Sequence, residues 1–398
     1  MRQKIKISVI IFLFFVLLIP IRVAAAGTES VQDFQKLKMR SRSGMTVHGS
    51  LITGVRCSYC HSRGGGRGLS DHEEWGCLVC HSALNDAEAT SRGLGKKNPR
   101  MRQNVFGRFQ AKEKKLDILS AYRKQYTHPT LSIKGVHGAL EELSGNNEAE
   151  RHAECPDCHH RHEVSQWNKL GPIEVMKKSG MKEKLKKLRN REVGEPVKDY
   201  ELCFNCHSDN NKLPVDQTNK RMDFDENNPS YHPVLSVGKN GNVPSLINEY
   251  TAESIITCSD CHNNDDKNGP QGPHGSNYMF ILKNRYSIED GLSESPGEYE
   301  LCYTCHKRSS ILGDQSFTLH RMHIEGNPVT GNKGTSCFTC HDAHGSEENT
   351  HLIRFNKEVV FQNPSTNEIK FVDKGELEGE CSLMCHDTNH NPKVYLRP

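Results

Sequence analysis

Sixteen cysteines constrain this chain more than any other feature, because every one of them falls into a close pair. Seven pairs share one spacing: Cys57 with Cys60, Cys77 with Cys80, Cys155 with Cys158, Cys203 with Cys206, Cys258 with Cys261, Cys302 with Cys305, and Cys337 with Cys340. The eighth pair, Cys381 and Cys385, has one extra residue between its members. In all eight, histidine directly follows the second cysteine: His61, His81, His159, His207, His262, His306, His341 and His386.

C-x-x-C-H is the attachment signature of haem c. Two thiols bind the porphyrin edge as thioethers, and the adjacent histidine turns back to ligate the iron. Zinc ribbons use two C-x-x-C pairs per metal and do not require a histidine after each. Disulfide frameworks require no histidine at all. Eight covalent haems are therefore expected, the eighth carried by the longer Cys381–Cys385 linker.

The first residues read MRQKIKISVIIFLFFVLLIPIRVAAAG: a basic start, an apolar run and small residues. This is the pattern of a secretory signal peptide over residues 1–26. It predicts an exported protein, periplasmic or extracellular and outer-membrane associated, which agrees with attachment of haem c outside the cytoplasmic membrane. Hydrophobic residues make up only 34 % of the chain, low for a protein of 398 residues. The porphyrins are expected to form the core, with folding coupled to their attachment. A net charge of +3 gives no argument for nucleic acid as a partner.

Each iron needs a second axial ligand. The chain has 22 histidines, so fourteen lie outside the motifs. Eight of these recur in a pattern: His48, His72, His128, His162, His232, His274, His323 and His344. The order His, motif, His, motif then repeats four times, giving a module over 27–100, a second over 101–215, a third over 216–315 and a fourth over 316–398. YELCFNCH (200–207) echoes YELCYTCH (299–306), and His128-Pro129 echoes His232-Pro233. His320 competes with His323 for its role, and His390 competes for a terminal haem. His137, His152, His160 and His351 receive no role.

The runs between motifs are rich in Gly, Pro, Asn and Ser and read as loops. Longer helices are expected over 111–126 and over 172–190, the latter with a basic face. The Gly-rich run at 62–68 has no preceding strand and is not a phosphate cradle.

CSDCHNN with GPHGS, CFTCHDAHGS and the repeated YELCxxCH resemble the multihaem c-type cytochromes with doubled motifs, over most of residues 45–390. The resemblance implies closely stacked bis-histidine haems. The fold expected is mostly loops with short α-helices wrapped around the haem chain and little β structure. Electron transfer in periplasmic or extracellular respiration is the expected function, with other cytochromes or an outer-membrane complex as donors and acceptors. A reductase with one open iron, acting on nitrogen or sulfur oxyanions, is the alternative, as is a subunit of a conducting filament. Histidine in every motif and a sufficient supply of second ligands weigh against the open iron.

Overall fold

A computed structural model describes residues 46–47, 50–51, 78, 81–83, 114, 117–130, 153, 155–159, 198–204, 206–208, 217–327, 329, 331–385 and 388–396. Residues 1–46 with 51–56 form one compact unit and 47–50 with 57–398 a second. Apart from Thr46 and Leu51, the residues described below lie in the second. Residues 1–26, expected to be a signal peptide, the Gly-rich run and the basic 172–190 stretch lie outside the described residues.

Short helices carry the motif cysteines, as at Cys155–Cys158, Cys258–Cys261 and Cys337–Cys340. One helical turn is too short to persist alone, so each is held from outside. The Asp199 carboxylate accepts from the Ser259 amide and hydroxyl, both at 3.0 Å, at the start of the Cys258–Cys261 helix. Asp290 does the same for Cys337–Cys340, accepting from the Ser336 amide and the Thr339 hydroxyl. Capping carboxylates at a helix start satisfy its orphan amides. Each comes from a segment 46 to 60 residues earlier in the chain, so the caps also tie distant segments together. The helix expected over 111–126 is confined to Ile118–Ala121 among the described residues, and a strand follows at Tyr126.

The strands are β1 (Thr46–Val47), β2 (Ser50–Leu51), β3 (Tyr126–Thr127), β4 (Ser230–Tyr231), β5 (Gly275–Ser276), β6 (Gly326–Asn327), β7 (Asn332–Lys333), β8 (Gly345–Ser346), β9 (Val360–Phe361), β10 (Lys370–Gly375), β11 (Glu378–Cys385) and β12 (Thr388–Tyr395). This overturns the expectation of a mostly loop fold with little β structure. The largest sheet is four-stranded and antiparallel: β10, β11 and β12 in order, with β9 on the end of β11. Three antiparallel pairs, β3–β5, β4–β8 and β6–β7, and the two-stranded β1–β2 sheet accompany it. Two causes hid this from the sequence. Two-residue strands carry no periodicity, and the C-terminal strands are interrupted by a cysteine pair that reads as a haem loop.

Buried hydrophobic side chains are few among the described residues, and one cluster of them is Phe224, Tyr231 and Val234, with Tyr200, Phe204, Leu235 and Ile256 against it. This cluster sits beside β4 and steadies the strand that precedes His232.

Candidate functional site: paired histidines

Among the described residues, histidines face one another in six pairs. His159 meets His274 with ring centres 6.0 Å apart, and His128 meets His207 at 6.4 Å. His262 meets His344 at 6.2 Å, and His232 meets His306 at 6.4 Å. His320 meets His341, and His323 meets His390, each at 6.3 Å. The ring planes range from nearly parallel, at 7°, to 60°.

A constant separation with a variable twist has a simple cause. With metal–nitrogen bonds of about 2 Å and ring nitrogens roughly 1.2 Å from the ring centre, two coaxial imidazoles on one metal sit about 6.3 Å apart at any twist. Direct ring contacts spread more widely, over about 4.5–7 Å. Contacts made by Phe317 and Phe224 here do so, at 4.6 Å to Tyr395, 5.1 Å to His320 and 5.4 Å to His344. The histidine pairs therefore have the spacing of bis-histidine iron sites, and the residues fit haem.

The outer ring nitrogens support the same arrangement. The Nδ1–H of His128 donates to the Pro273 carbonyl at 2.6 Å, that of His262 to Phe280 at 2.8 Å, and that of His341 to His351 at 2.9 Å. His323 donates to the Leu319 carbonyl at 2.8 Å, and His232 to the Ala343 carbonyl. His207 donates to Gln217 Oε1, and His306 is hydrogen bonded to the Ser245 hydroxyl, both at 2.8 Å. Fixing Nδ1 sets the tautomer, leaving Nε2 as the ligating atom.

Local backbone geometry produces these acceptors. Phe280 and Ile281, and equally His351 and Leu352, adopt positive φ of 55–60°. Such left-handed pairs are costly for residues other than glycine. Each turns a carbonyl toward a motif histidine, and the flanking backbone then pairs with that motif. Asn263 and Lys283 exchange bonds across one such bridge, with Ile281 and Cys261 as acceptors. Asp342 and Arg354 repeat the pattern with Leu352 and Cys340. His351 thus serves His341 through its carbonyl, while its ring is hydrogen bonded to Asp373 at 3.1 Å.

The histidines preceding and following the motifs meet on the two-residue sheets. β3 ends just before His128 and pairs with β5, which begins just after His274. β4 and β8 place His232 and His344 in the same relation. Each residue before a proline, His128 and His232, is biased to extended backbone, which suits this role. The histidines of each bracket meet two successive motif histidines: His274 faces His159 and His128 faces His207, while His344 faces His262 and His232 faces His306.

Burial affects the rings electrostatically. Although half-covered by protein, the rings of His262, His274, His306 and His341 are pushed down to about 4 by desolvation, and His320 to about 3. They are neutral at pH 7, the form that ligates iron.

His344 differs from the others in its acceptor. Its Nδ1–H donates to Asp342 Oδ1 at 3.1 Å, and its amide donates to the same oxygen at 2.8 Å. Burial pushes the Asp342 carboxyl up, but the His344 hydrogen bonds outweigh it and hold it at about 2. Asp223, Asp342 and His344 come close enough to suggest a cation site. Protein cations already serve it: Lys220 reaches Asp223 at 2.9 Å, and Arg354 spans Asp223 and Asp342 at 2.8 and 3.2 Å. The cluster is a bracket for His344.

Cysteines of successive motifs also approach. The side chains of Cys203 and Cys258 lie close together, as do those of Cys302 and Cys337, and Cys381 and Cys385 lie near Cys340. Cys57, Cys60, Cys77, Cys80, His48, His61, His72, His162 and His386 lie outside the described residues. His81 is described and bonded through its carbonyl to the Leu119 amide at 3.4 Å. Sequence reasoning offered His320 and His390 only as competitors. Geometry sets His320 against His341 and gives His323 a different partner.

Residues 186–354 match the family "Outer membrane cytochrome MtrC/MtrF-like, domains II/IV". The match supports a multihaem cytochrome. No curated protein and no solved structure matches the chain. Among the described residues no helix is long and apolar enough to cross a membrane.

Proposed function

We propose that this protein conducts electrons along a row of covalently bound haems, each closed by two histidines. The observation that carries the reading is the common 6.0–6.4 Å separation of the histidine pairs. Haem supplies one-electron iron chemistry; the chain supplies ligands, spacing and tuning. The motif thiols would hold the porphyrin through thioether bonds, and a histidine pair at each iron would leave no place there for a substrate.

Site follows site in chain order. The Cys155 and Cys203 sites share the β3–β5 bracket, and the Cys258 and Cys302 sites share β4–β8. Adjacent cysteines join Cys203 to Cys258 and Cys302 to Cys337. His320 and His323 sit one helical turn apart in the His320–Glu325 helix and join the last two. Such continuity suits transfer between redox partners at the outer membrane of an exported protein, with eight haems in four modules. Other cytochromes of an outer-membrane complex are the donors and acceptors that fit.

The test is stopped-flow oxidation of the fully reduced protein by a soluble ferric chelate, alongside assays with nitrite, hydroxylamine and sulfite. All haems should reoxidise, with no turnover of the three small substrates. Catalytic turnover of any of them would overturn the reading.

Tuning is also expected to be uneven. A carboxylate acceptor makes His344 a stronger donor to iron and lowers the potential of its site. Asp342→Asn keeps the hydrogen bond and removes the charge. We expect one midpoint to rise by about 40 mV, the equivalent of roughly 1 kcal/mol for one electron. Spectropotentiometry of the two proteins would reveal it; a uniform shift of all haems would refute the local assignment.

A further inference from the structure

Resting on the reading above, we infer that His390, rather than His386, ligates the iron of the haem carried by Cys381 and Cys385, with His323 on the opposite side. In the other five pairs one ring directly follows a motif cysteine. The sixth pair breaks this rule, because neither His323 nor His390 does.

The fold around Cys381 explains the change. At Cys258–Cys261 and Cys337–Cys340 C-x-x-C is one helical turn, with the histidine at its end. Cys381 and Cys385 lie instead on β11, where alternation puts residues 381, 383 and 385 on one face. Leu383, midway between the cysteines, is directly opposite His390 on β12, and Cys385 is opposite Thr388. Cross-strand partners share a face, so His390 stands on the face that carries both thiols. The register slips between Cys381 and Leu383, where β12 has an extra residue beside Pro392. This is the place where a bulge absorbs a residue and re-aims a strand. Asn363, fully buried, donates to the His390 carbonyl at 2.6 Å and to the Ser382 hydroxyl at 3.1 Å, locking the two strands in this register.

His323 is prepared to complete the site. Its Nδ1–H is committed to the Leu319 carbonyl, leaving Nε2 toward His390. Phe317 packs against His323 and Tyr395, which brings the helix and β12 together.

The experiment uses the full chain with its haems and begins with intact mass. Eight haem additions, with one on the Cys381–Cys385 peptide, are required by the reading on which this rests; seven would remove the site and that part of the reading together. His390→Ala is then examined by mass and by EPR of the oxidised protein. Eight haems with one equivalent of high-spin iron is the expected result. Eight haems, all low-spin, would overturn the inference. Should His390→Ala lack the eighth haem, His386→Ala decides. Eight haems, all low-spin, would support His390 as ligand, whereas a high-spin iron or a lost haem would overturn it.

Discussion

Replacing His344 with alanine should turn one low-spin iron high-spin and let it bind carbon monoxide after reduction. The affected haem should be the one on Cys258 and Cys261, although His344 closely follows the motif of Cys337 and Cys340 in the chain. His344 faces His262 at 6.2 Å with ring planes 7° apart, while His341 faces His320. Double variants locate the effect. His262→Met combined with His344→Ala should alter one haem per molecule, since both ligands serve one iron. His341→Met combined with His344→Ala should alter two. Spin quantification by EPR, after mass has confirmed the haem complement, distinguishes these counts. One altered haem in the second double variant would mean that ligation stays within the module.

Gly345→Ala should disturb two haems at once. A Cβ at this position would lie 1.9 Å from the Asp223 carbonyl oxygen and 3.1 Å from that of Ser230. Both obstacles are backbone, so neither can swing aside. Relief requires β8 to move away from the end of the Lys220–Asp223 helix and from β4, and the β4–β8 bracket holds His344 and His232. The His232 amide also donates to the His344 carbonyl at 3.0 Å, so the two ligands are displaced together. Overpacking of this kind costs about 1–3 kcal/mol. Thermal unfolding should begin several degrees lower, and EPR should show a disturbed pair of sites. Gly275→Ala should act likewise on the β3–β5 bracket, where the Ala121 carbonyl oxygen would lie 2.1 Å away. Gly241→Ala, with nothing within 4 Å, is the control and should leave both readings unchanged. An unchanged melt in Gly345→Ala would contradict the bracket.

The cofactor was legible because covalent attachment demands fixed residues at fixed spacing. So was a surplus of histidines that repeats in register with the motifs. The pairing of those histidines was not legible. The paired rings are brought together through strands of two residues, and the bond that positions them, such as His128 to Pro273, joins distant segments. The glycines of His274-Gly275-Ser276 and His344-Gly345-Ser346 carry the trace of this contact, because each marks a close backbone approach. Nor could linker length alone reveal that Cys381 and Cys385 lie on a strand. The alternation of β11 is masked by its polar residues, and its burial depends on Val360 and Asn363 from outside the motif.

Closure of every iron by two histidines is the central claim, and one measurement addresses it directly: EPR of the purified oxidised protein, followed by reduction under carbon monoxide. The account predicts low-spin signals throughout and no carbon monoxide adduct. A high-spin signal in the native protein that is lost with formation of an adduct would mean an open iron, and would contradict it.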